Sequence, residues 1–423
     1  MMERKMKDSG TSWIGCIPEE WEVRPARYAF SEVKQKNSDG RVQKALQFKF
    51  GTIVPKSNFE ASDDEYVADT ITNYTVVDPG TVMINGLNLN YDFVTQRTAI
   101  VRETGVITSA YLALKPNDQL ITPEFATYLF KGYETKMALH NMGSGIRLTL
   151  GFKELKGQPI LLPPIAEQKK IAQFLDAKCH EIGSISEATT RSLEEYKALK
   201  RSIIIEAVTV GIRGKRELKP SGLDWVDQIP ASWKVTKAKR VLVKLSRPMK
   251  DDDAIVVCSN SGQVMFRGAK NTGLVSLTEN GYQGVEPGDL LIHGMDTWHG
   301  AIAVSGIRGK CTSVVHVCDS SENKEYLCYY LQSLAFQKVY KAITNGVRQN
   351  TSDYRSWDKA GTIDIVVPPR DEQDEIAAYI KDKCAAIDRL IEQKTKLLAE
   401  IEDYKKTVIF EYVTGKKEVP VCQ

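Results

Sequence analysis

The chain has 423 residues, which at about 150 residues per domain predicts two or three domains. Hydrophobic residues make up 42% and charged residues 26% of it, which is typical of a soluble globular protein and argues against wholesale disorder. The formal net charge is +3, so the strong overall basicity of many nucleic-acid-binding proteins is missing, although a local basic face would suffice. The sequence contains no membrane-length apolar stretch, no signal-peptide core and no CxxC among its 8 cysteines, so we expect a cytoplasmic protein with reduced thiols and no membrane contact.

The first half of the chain predicts a mixed α and β region followed by one long helix. Short runs rich in β-branched residues indicate strands at 75–77, 81–84 and 98–101, and a helix is expected near 123–139. A long stretch without proline then begins after a Pro-Pro pair and ends at Gly211, as expected of a single helix of about 45 residues.

The second half of the chain predicts the same succession. Strands are expected at 289–292, 301–304 and 313–317, and a helix is expected near 324–343. A second Pro-Pro pair then opens a second long stretch without proline, which ends at Gly415.

The two halves have the same succession of elements because the sequence contains an internal repeat. Residues 13–21, Trp-Ile-Gly-Cys-Ile-Pro-Glu-Glu-Trp, return as residues 225–233, Trp-Val-Asp-Gln-Ile-Pro-Ala-Ser-Trp. Residues 161–168, Leu-Leu-Pro-Pro-Ile-Ala-Glu-Gln, return as residues 366–373, Val-Val-Pro-Pro-Arg-Asp-Glu-Gln, and the match then continues without a gap to the ends of both long helices. Such a period is too long for a solenoid, so we interpret it as a duplicated two-part unit with pseudo-twofold symmetry.

Both long helices carry a heptad pattern in the same register. A generic amphipathic helix is one explanation, but two copies with matching polar breaks favour pairing of the helices with each other as an antiparallel coiled coil. The predicted seam consists of Leu175, Ile182, Ile185, Thr189, Ser192, Tyr196, Leu199 and Ile203 in the first helix and of Ile380, Ile387, Leu390, Lys394, Leu397, Ile401, Tyr404 and Val408 in the second.

We find no catalytic constellation in the sequence, so we predict no catalytic residue. The motifs HExxH, GxSxG and DFG are absent, as is the Asn/Asp-Pro-Pro-Tyr of amino-methyltransferases. Residues 306–312 resemble a phosphate loop, but the spacing is too short and a hairpin turn is the better interpretation. We also predict no metal site, because the spacing of the nearest candidate ligands does not match a zinc pattern; these are Cys311, His316, Cys318 and Cys328.

Polar residues beyond the predicted strands are better suited to binding DNA. Asn can pair with adenine through two hydrogen bonds and Arg with guanine, and both residue types occur in residues 85–97. Residues 293–299 occupy the equivalent place in the second half with different side chains, as expected of two readers of different sequences. A Gly-x-Arg turn in each half would suit phosphate contact, although ordinary solvated loops and exposed turns would look the same. The candidate DNA-binding residues are Asn85, Asn88, Asn90, Arg97, Arg147, His293, Trp298, His299, Arg348 and Gln349.

The order of these motifs resembles the specificity (S) subunit of a type I restriction–modification system. The resemblance rests on the two Trp-x3-Ile-Pro-x2-Trp motifs, the two Gly-x-Arg turns, the two Pro-Pro-x2-Glu-Gln helix starts and the two Val-Thr helix ends, which together span essentially the whole chain. It implies an α+β fold with two globular α/β target recognition domains joined by two long antiparallel coiled-coil helices. The implied segments are recognition domain 1 at 1–165, helical spacer 1 at 166–212, recognition domain 2 at 213–368 and helical spacer 2 at 369–423.

The resemblance also implies a function for each segment. Each recognition domain would read one half of a bipartite, asymmetric target in double-stranded DNA, while the helices set the gap and dock two methyltransferase (M) subunits. The family is not catalytic, so S-adenosylmethionine, ATP and Mg²⁺ are expected on the M and restriction (R) subunits and no cofactor on this chain. A type IIB-like or orphan methylation system remains open, as do a coiled-coil scaffold whose heads bind proteins and a nuclease or methyltransferase with a disguised site.

Overall fold

The computed structural model describes residues 4–56, 71–89, 96–146, 148–268, 281–343 and 354–420. The chain forms two compact units. Unit 1 comprises residues 1–189 and 396–423, and unit 2 comprises residues 190–395. Each long helix therefore contributes one part to each unit. No helix in the described part of the chain is long and apolar enough to cross a membrane.

Unit 1 combines short antiparallel strands with a few helices. Its strands are β1 (Met6–Asp8), β2 (Cys16–Pro18), β3 (Glu22–Pro25), β4 (Phe30–Glu32), β5 (Leu46–Lys49), β6 (Thr52–Pro55), β7 (Thr75–Val77), β8 (Val82–Ile84), β9 (Thr98–Ile100), β10 (Gly105–Ile107), β11 (Leu112–Pro116) and β12 (Pro159–Leu162). Its shorter helices are α1 (Ala26–Ala29), α2 (Pro123–Thr135), α3 (Ala138–Met142) and α4 (Phe152–Leu155).

A four-stranded antiparallel sheet with the order β4-β11-β8-β9 lies at the centre of unit 1. The residues of β8 are all buried, because this strand is paired on both sides and covered by α2. Thr122 caps α2 by accepting a hydrogen bond from the backbone N–H of Phe125, and Pro123 occupies the first turn, where its missing N–H costs nothing. The buried face of α2 carries Phe125 and Phe130, which belong to the main core of the unit.

Unit 2 contains the second set of elements. Its strands are β13 (Leu218–Leu223), β14 (Val226–Pro230), β15 (Lys234–Lys237), β16 (Val243–Lys244), β17 (Val256–Cys258), β18 (Val264–Phe266), β19 (Gln283–Val285), β20 (Leu290–His293), β21 (Ile302–Val304), β22 (Gly309–Cys311), β23 (Val315–Asp319) and β24 (Asp364–Val367). Its shorter helices are α6 (Ala238–Val241), α7 (Lys324–Phe336), α8 (Val339–Ile343) and α9 (Trp357–Ala360).

The strand order of unit 2 repeats that of unit 1. Its central sheet has the order β16-β23-β20-β21, and the outer pairs β13-β14, β15-β24, β17-β18 and β19-β22 correspond to β1-β2, β3-β12, β5-β6 and β7-β10. The duplication seen in the sequence is thus a duplication of topology, and the predicted strands are confirmed. The two predicted shorter helices each break once, because Met137 and Lys338 adopt left-handed backbone conformations with φ of 55° and 60°.

The two long helices are α5 (Ile165–Thr209) and α10 (Arg370–Val413), with 45 and 44 residues. Each is followed by a glycine in the left-handed conformation, as predicted: Gly211 has φ of 85° and Gly415 has φ of 68°.

Inside each unit the helical segments run antiparallel. In unit 1 the rings of Phe174 and Tyr412 lie 4.5 Å apart, and Cys179, later in α5, lies near Lys405, earlier in α10. In unit 2 the ammonium of Lys200 contacts Asp388 at 2.6 Å. Arg213, just beyond α5, contacts Glu375 near the start of α10 at 2.7 Å, so the numbering again runs in opposite directions.

The predicted coiled-coil seam is wrong at every second position. Ile182 and Thr189 are buried as predicted, but Ile185 and Leu199 are 47% and 48% exposed, and Leu193 is buried in place of Ser192. The second helix departs from the prediction in the same way, because the predicted seam residues Leu390, Leu397 and Tyr404 are exposed. Positions three and four residues after a buried residue both lie near the same helix face, so the heptad period fixes one seam position and leaves the other ambiguous.

The repeated tryptophans contact the repeated glutamates of the helix starts. The indole N–H of Trp21 donates to the Glu167 carboxylate at 3.0 Å, and that of Trp233 donates to Glu372 at 2.9 Å. Both indole rings are fully buried. The two repeated motifs therefore contact each other in both units, and the tryptophans have a structural role.

The repeated glutamines have an equally specific structural role. The side-chain oxygen of Gln168 accepts from the backbone N–H of Thr122, the N-cap of α2, at 2.8 Å. The side-chain oxygen of Gln373 accepts from the backbone N–H of Asn323, the N-cap of α7, at 2.9 Å. Each long helix is thereby fixed against the shorter helix that covers the central sheet of its unit.

Candidate nucleic-acid interface

The first candidate loop leaves the central sheet of unit 1 at the end of β8. The side-chain oxygen of Asn85 accepts a hydrogen bond from the backbone N–H of Leu87 at 3.2 Å, which forms a local turn. Leu89 is buried in the main core and anchors the far end of the described loop. Asn88 is exposed and has φ of 51°, a conformation that Asn tolerates better than most residues. The main chain of the loop is thus fixed by the turn at Asn85 and by the buried Leu89, and the loop carries two amide side chains.

Arg97 provides much of that support, and its orientation corrects the prediction that it reads bases. Its side chain is buried, with only 1% of the residue exposed. One guanidinium nitrogen donates to the carbonyl oxygens of Asn85 at 2.9 Å and Leu87 at 2.7 Å, and the other donates to that of Asn88 at 3.4 Å. The cation therefore faces the inside of the loop, because three convergent carbonyl oxygens need a donor with several N–H groups.

Glu134 of α2 holds the segment that carries Arg97. Its carboxylate accepts from the backbone N–H of Arg97 at 3.1 Å and from the hydroxyl of Thr98. Burial raises the pKa of Glu134, and these hydrogen bonds together with the charges of Lys131 and Arg97 act in the opposite direction. The carboxylate also lies on the wall of a cavity of about 400 Å³.

A second segment meets the first loop from the other side. The backbone N–H of Leu150 donates to the carbonyl of Gly86 at 2.9 Å, and a Cβ at position 86 would lie 2.2 Å from the carbonyl oxygen of Leu150. Ser144 and Thr149 pair across a short turn with Gly145 at φ of 78°, and the Ile146 side chain is 98% exposed. The predicted loop and the predicted Gly-x-Arg turn are therefore neighbours. Two candidates in this region lie outside the described residues: Asn90 and Arg147.

The second candidate loop leaves the central sheet of unit 2 at the equivalent strand, β20. The backbone N–H of Asp296 donates to Nδ1 of His293 at 3.1 Å. Burial lowers the pKa of His293 while the Asp296 carboxylate raises it, and burial is the larger effect. Nδ1 of His293 also lies 3.2 Å from a carboxylate oxygen of Asp296, so the imidazole is held against the start of its own turn.

Trp298 and His299 follow in a short 3₁₀ helix, Thr297–His299, that Gly300 ends with φ of 91°. Their rings lie 3.8 Å apart, with Trp298 half-buried against the main core of the unit and His299 exposed. The structure thus brings the three predicted residues of this loop together on one turn.

A second segment also meets this loop. The backbone N–H of Tyr354 donates to the carbonyl of Gly294 at 3.0 Å, and a Cβ at position 294 would lie 2.8 Å from the Tyr354 carbonyl oxygen. His316, which is fully buried, holds the same carbonyl through Nε2 at 2.6 Å, and burial lowers its pKa. Sequence patterns do not indicate this role, because His316 lies in a strand with alternating side chains and its partner is distant in the chain. Two candidates lie outside the described residues: Arg348 and Gln349.

The buried cysteines of unit 2 are not arranged for nucleophilic or metal chemistry. Burial raises the pKa of the thiols of Cys258, Cys311 and Cys318 to about 12, so they are protonated core residues. Within the described ranges, no group of three or more His, Cys, Asp or Glu side chains is placed to hold a metal ion.

Comparison with known proteins agrees with the motif order. Residues 81–194 match the family described as type I restriction modification DNA specificity domain. Over this range the chain is similar to the DNA specificity domains of type I restriction–modification systems. It is 25% identical to the putative type I restriction enzyme MjaX specificity subunit of Methanocaldococcus jannaschii, over 96% of each chain. It is also 24% identical to the type I restriction enzyme MjaVIII specificity subunit of that organism, over 95% of this chain and 94% of the relative.

A solved structure has a similar fold. The match has a TM-score of 0.66 at 13% identity and covers 95% of this chain and 99% of the other, which comes from a study of complex assembly and conformational transition of the type I R-M system. The resemblance to S subunits inferred from the sequence is confirmed, and the solved structure supports the overall architecture.

Proposed function

We propose that this chain is the sequence-specific DNA-recognition subunit of a type I restriction–modification complex, in which each unit reads one half of a bipartite, asymmetric target. The observation that carries the proposal is the equivalent construction of the two candidate loops. Each follows the equivalent strand of its central sheet, and a corresponding backbone hydrogen bond holds each loop, from Leu150 to Gly86 in unit 1 and from Tyr354 to Gly294 in unit 2. A shared frame with different exposed side chains is what two readers of different sequences require.

The side chains of each loop suit direct readout of base edges. The amide of Asn88 can donate and accept, which matches adenine in the major groove. The amide nitrogen of Asn85 can donate to a base edge, while its oxygen accepts from the Leu87 N–H. His293 and His299 can form single hydrogen bonds to base edges, and Trp298 can contribute apolar contact. For the candidates outside the described residues we propose a base contact for Asn90 and Gln349 and phosphate contacts for Arg147 and Arg348.

Catalysis belongs to partner subunits, because the relatives of this chain are specificity subunits. We propose that S-adenosylmethionine, ATP and Mg²⁺ are bound by the M and R subunits and that this chain binds none of them. Two M subunits, one for each repeat, are the proposed stoichiometry.

Exposed apolar side chains on the long helices support docking of these M subunits. In unit 1 they are Ile185 of α5 and Tyr404 of α10, and in unit 2 they are Leu199 of α5 and Leu390 of α10. Exposed apolar side chains mark protein–protein interfaces where they form a contiguous patch. We further propose that the paired helices set the gap between the half-sites.

The direct test is selection of bound duplexes from a random pool by the purified chain with its M subunits. The proposal predicts two short, dissimilar half-sites separated by a fixed gap, with affinity that falls steeply as salt concentration rises. Asn88→Ala should relax only one half-site, and His299→Ala should relax only the other. Retention without sequence preference would contradict the proposal, and the absence of any DNA retention would favour a scaffold whose heads bind proteins.

A further inference from the structure

We propose that Arg97 is a positioning residue that determines the specificity of unit 1 without touching DNA. It would act by fixing the main chain of the loop formed by residues 85–89, so that Asn85 and Asn88 present their amides in one geometry. The inference rests on the proposed function, because it concerns how one of the two recognition loops is built.

The hydrogen bonds of Arg97 stabilise the curved main chain of this loop. Its guanidinium joins the carbonyl oxygens of Asn85, Leu87 and Asn88, which therefore all point to one place inside the loop. Three carbonyl dipoles that converge in this way repel one another unless a cation lies between them. The left-handed conformation of Asn88, with φ of 51°, is part of the same curvature. Loss of the cation should therefore release the loop from this conformation.

The arrangement requires arginine in particular. The planar guanidinium has five N–H donors in a fixed fork and keeps its charge when buried, whereas a lysine ammonium presents its donors from one point and loses its proton more readily on burial. Glu134 accepts from the backbone N–H of Arg97 and holds the start of β9 in register. The guanidinium is therefore directed at the loop by its own backbone anchor.

The position in unit 2 that is equivalent to Arg97 is not an arginine. The backbone N–H of Asn85 donates to the carbonyl of Arg97 at 2.8 Å, and in unit 2 the backbone N–H of His293 donates to the carbonyl of Ala301 at 3.0 Å. Ala301 therefore stands where Arg97 stands. The loop of unit 2 is closed instead by its own backbone, because the carbonyl of Asp296 accepts from the N–H groups of His299 and Ala301. The strand-end hydrogen bond is common to both units, whereas the group that closes the loop differs, and in unit 1 that group is Arg97.

The test uses this difference as an internal control. Arg97→Met and Arg97→Lys, each in complex with the M subunits, are compared with the unsubstituted chain by selection from a random duplex pool across a range of salt concentrations. We expect Arg97→Met to make the half-site read by unit 1 degenerate and to weaken binding to the best target by at least tenfold. Arg97→Lys should restore part of the selectivity. The half-site read by unit 2 should stay unchanged in both variants.

The salt dependence separates positioning from direct contact. A buried guanidinium neutralises no phosphate, so the slope of log affinity against log salt should not change, whereas loss of a phosphate contact would reduce it by about 0.9. The matched control is Arg41→Met, which removes an exposed arginine of the same unit and should leave the half-site intact.

Three results would overturn the inference. The first is Arg97→Met with the original half-site retained, and the second is a reduced salt slope with selectivity unchanged. The third is loss of folding in both Arg97→Met and Arg97→Lys, which would show that Arg97 holds the domain rather than the loop. A parent chain without any half-site preference would refute the proposed function itself, so the two failures are distinguishable.

Discussion

Gly86→Ala is the sharpest test of the recognition frame in unit 1. A Cβ at this position would lie 2.2 Å from the carbonyl oxygen of Leu150, and that atom belongs to the backbone and cannot rotate away. The two segments would have to separate by about 1 Å to reach an ordinary contact distance. This movement also breaks the 2.9 Å hydrogen bond from the Leu150 N–H to the Gly86 carbonyl.

The cost of Gly86→Ala can be worked out from these two effects. Overpacking costs about 1–3 kcal/mol and a lost hydrogen bond about 0.5–1.5 kcal/mol, so we expect the free energy of unfolding to fall by about 1.5–4.5 kcal/mol. Urea unfolding followed by tryptophan fluorescence measures the change through the transition midpoint. The same variant should relax the half-site read by unit 1.

The matched control for Gly86→Ala is Gly183→Ala in the interior of α5. A Cβ at position 183 would meet no atom within 4 Å, and the glycine has no left-handed backbone to preserve. We expect a gain of about 0.5–1 kcal/mol, because alanine favours the helix more than glycine does. A loss below about 0.5 kcal/mol for Gly86→Ala would refute the close approach of the two segments.

Further substitutions test the remaining parts of the structure. Trp233→Phe removes the 2.9 Å hydrogen bond to Glu372 and should cost about 1.5–3 kcal/mol in urea unfolding, and an unchanged midpoint would refute the role of that bond. Burial raises the pKa of Glu134, so its ionisation opposes folding and the chain should lose stability as pH rises through that pKa. Glu134→Gln should remove this loss in thermal unfolding measured across pH, and an identical profile would contradict the burial effect. Ile185→Glu should fold normally and weaken co-purification of the M subunit, whereas Ile182→Glu should unfold the helix pair; the opposite pattern would restore the original seam.

Much of the fold could be predicted because the sequence contains an internal repeat, so each pattern occurs in two copies. The strands at β8 and β20 and both long helices follow from alternation, Pro-Pro starts and glycine ends, all of which act locally. Recognition of the repeat also separated the nearly constant motifs from the variable regions. The hydrogen bonds of Trp21 and Trp233 to the helix starts explain why those motifs are constant.

The features that could not be predicted from the sequence depend on which way a side chain points, and residue type alone does not determine this. The heptad period is the same whether the second seam residue is Ser192 or Leu193, and only the folded structure shows that Leu193 is the buried one. An arginine beside a polar loop can point outward to DNA or inward to carbonyl oxygens, and Arg97 points inward. The buried contact of His316 is likewise made to Tyr354, which is distant in the chain.

Mapping of methylated adenines in cells that carry this chain with its M subunit tests the central claim most directly. If each unit reads half of a split target, methylation will fall at a motif of two dissimilar half-sites separated by a fixed number of unspecified base pairs. Exchange of residues 85–89 for those of a relative with another target should change one half-site and leave the other half-site and the gap unchanged. A single uninterrupted motif, or a change in both half-sites after that exchange, would contradict the account.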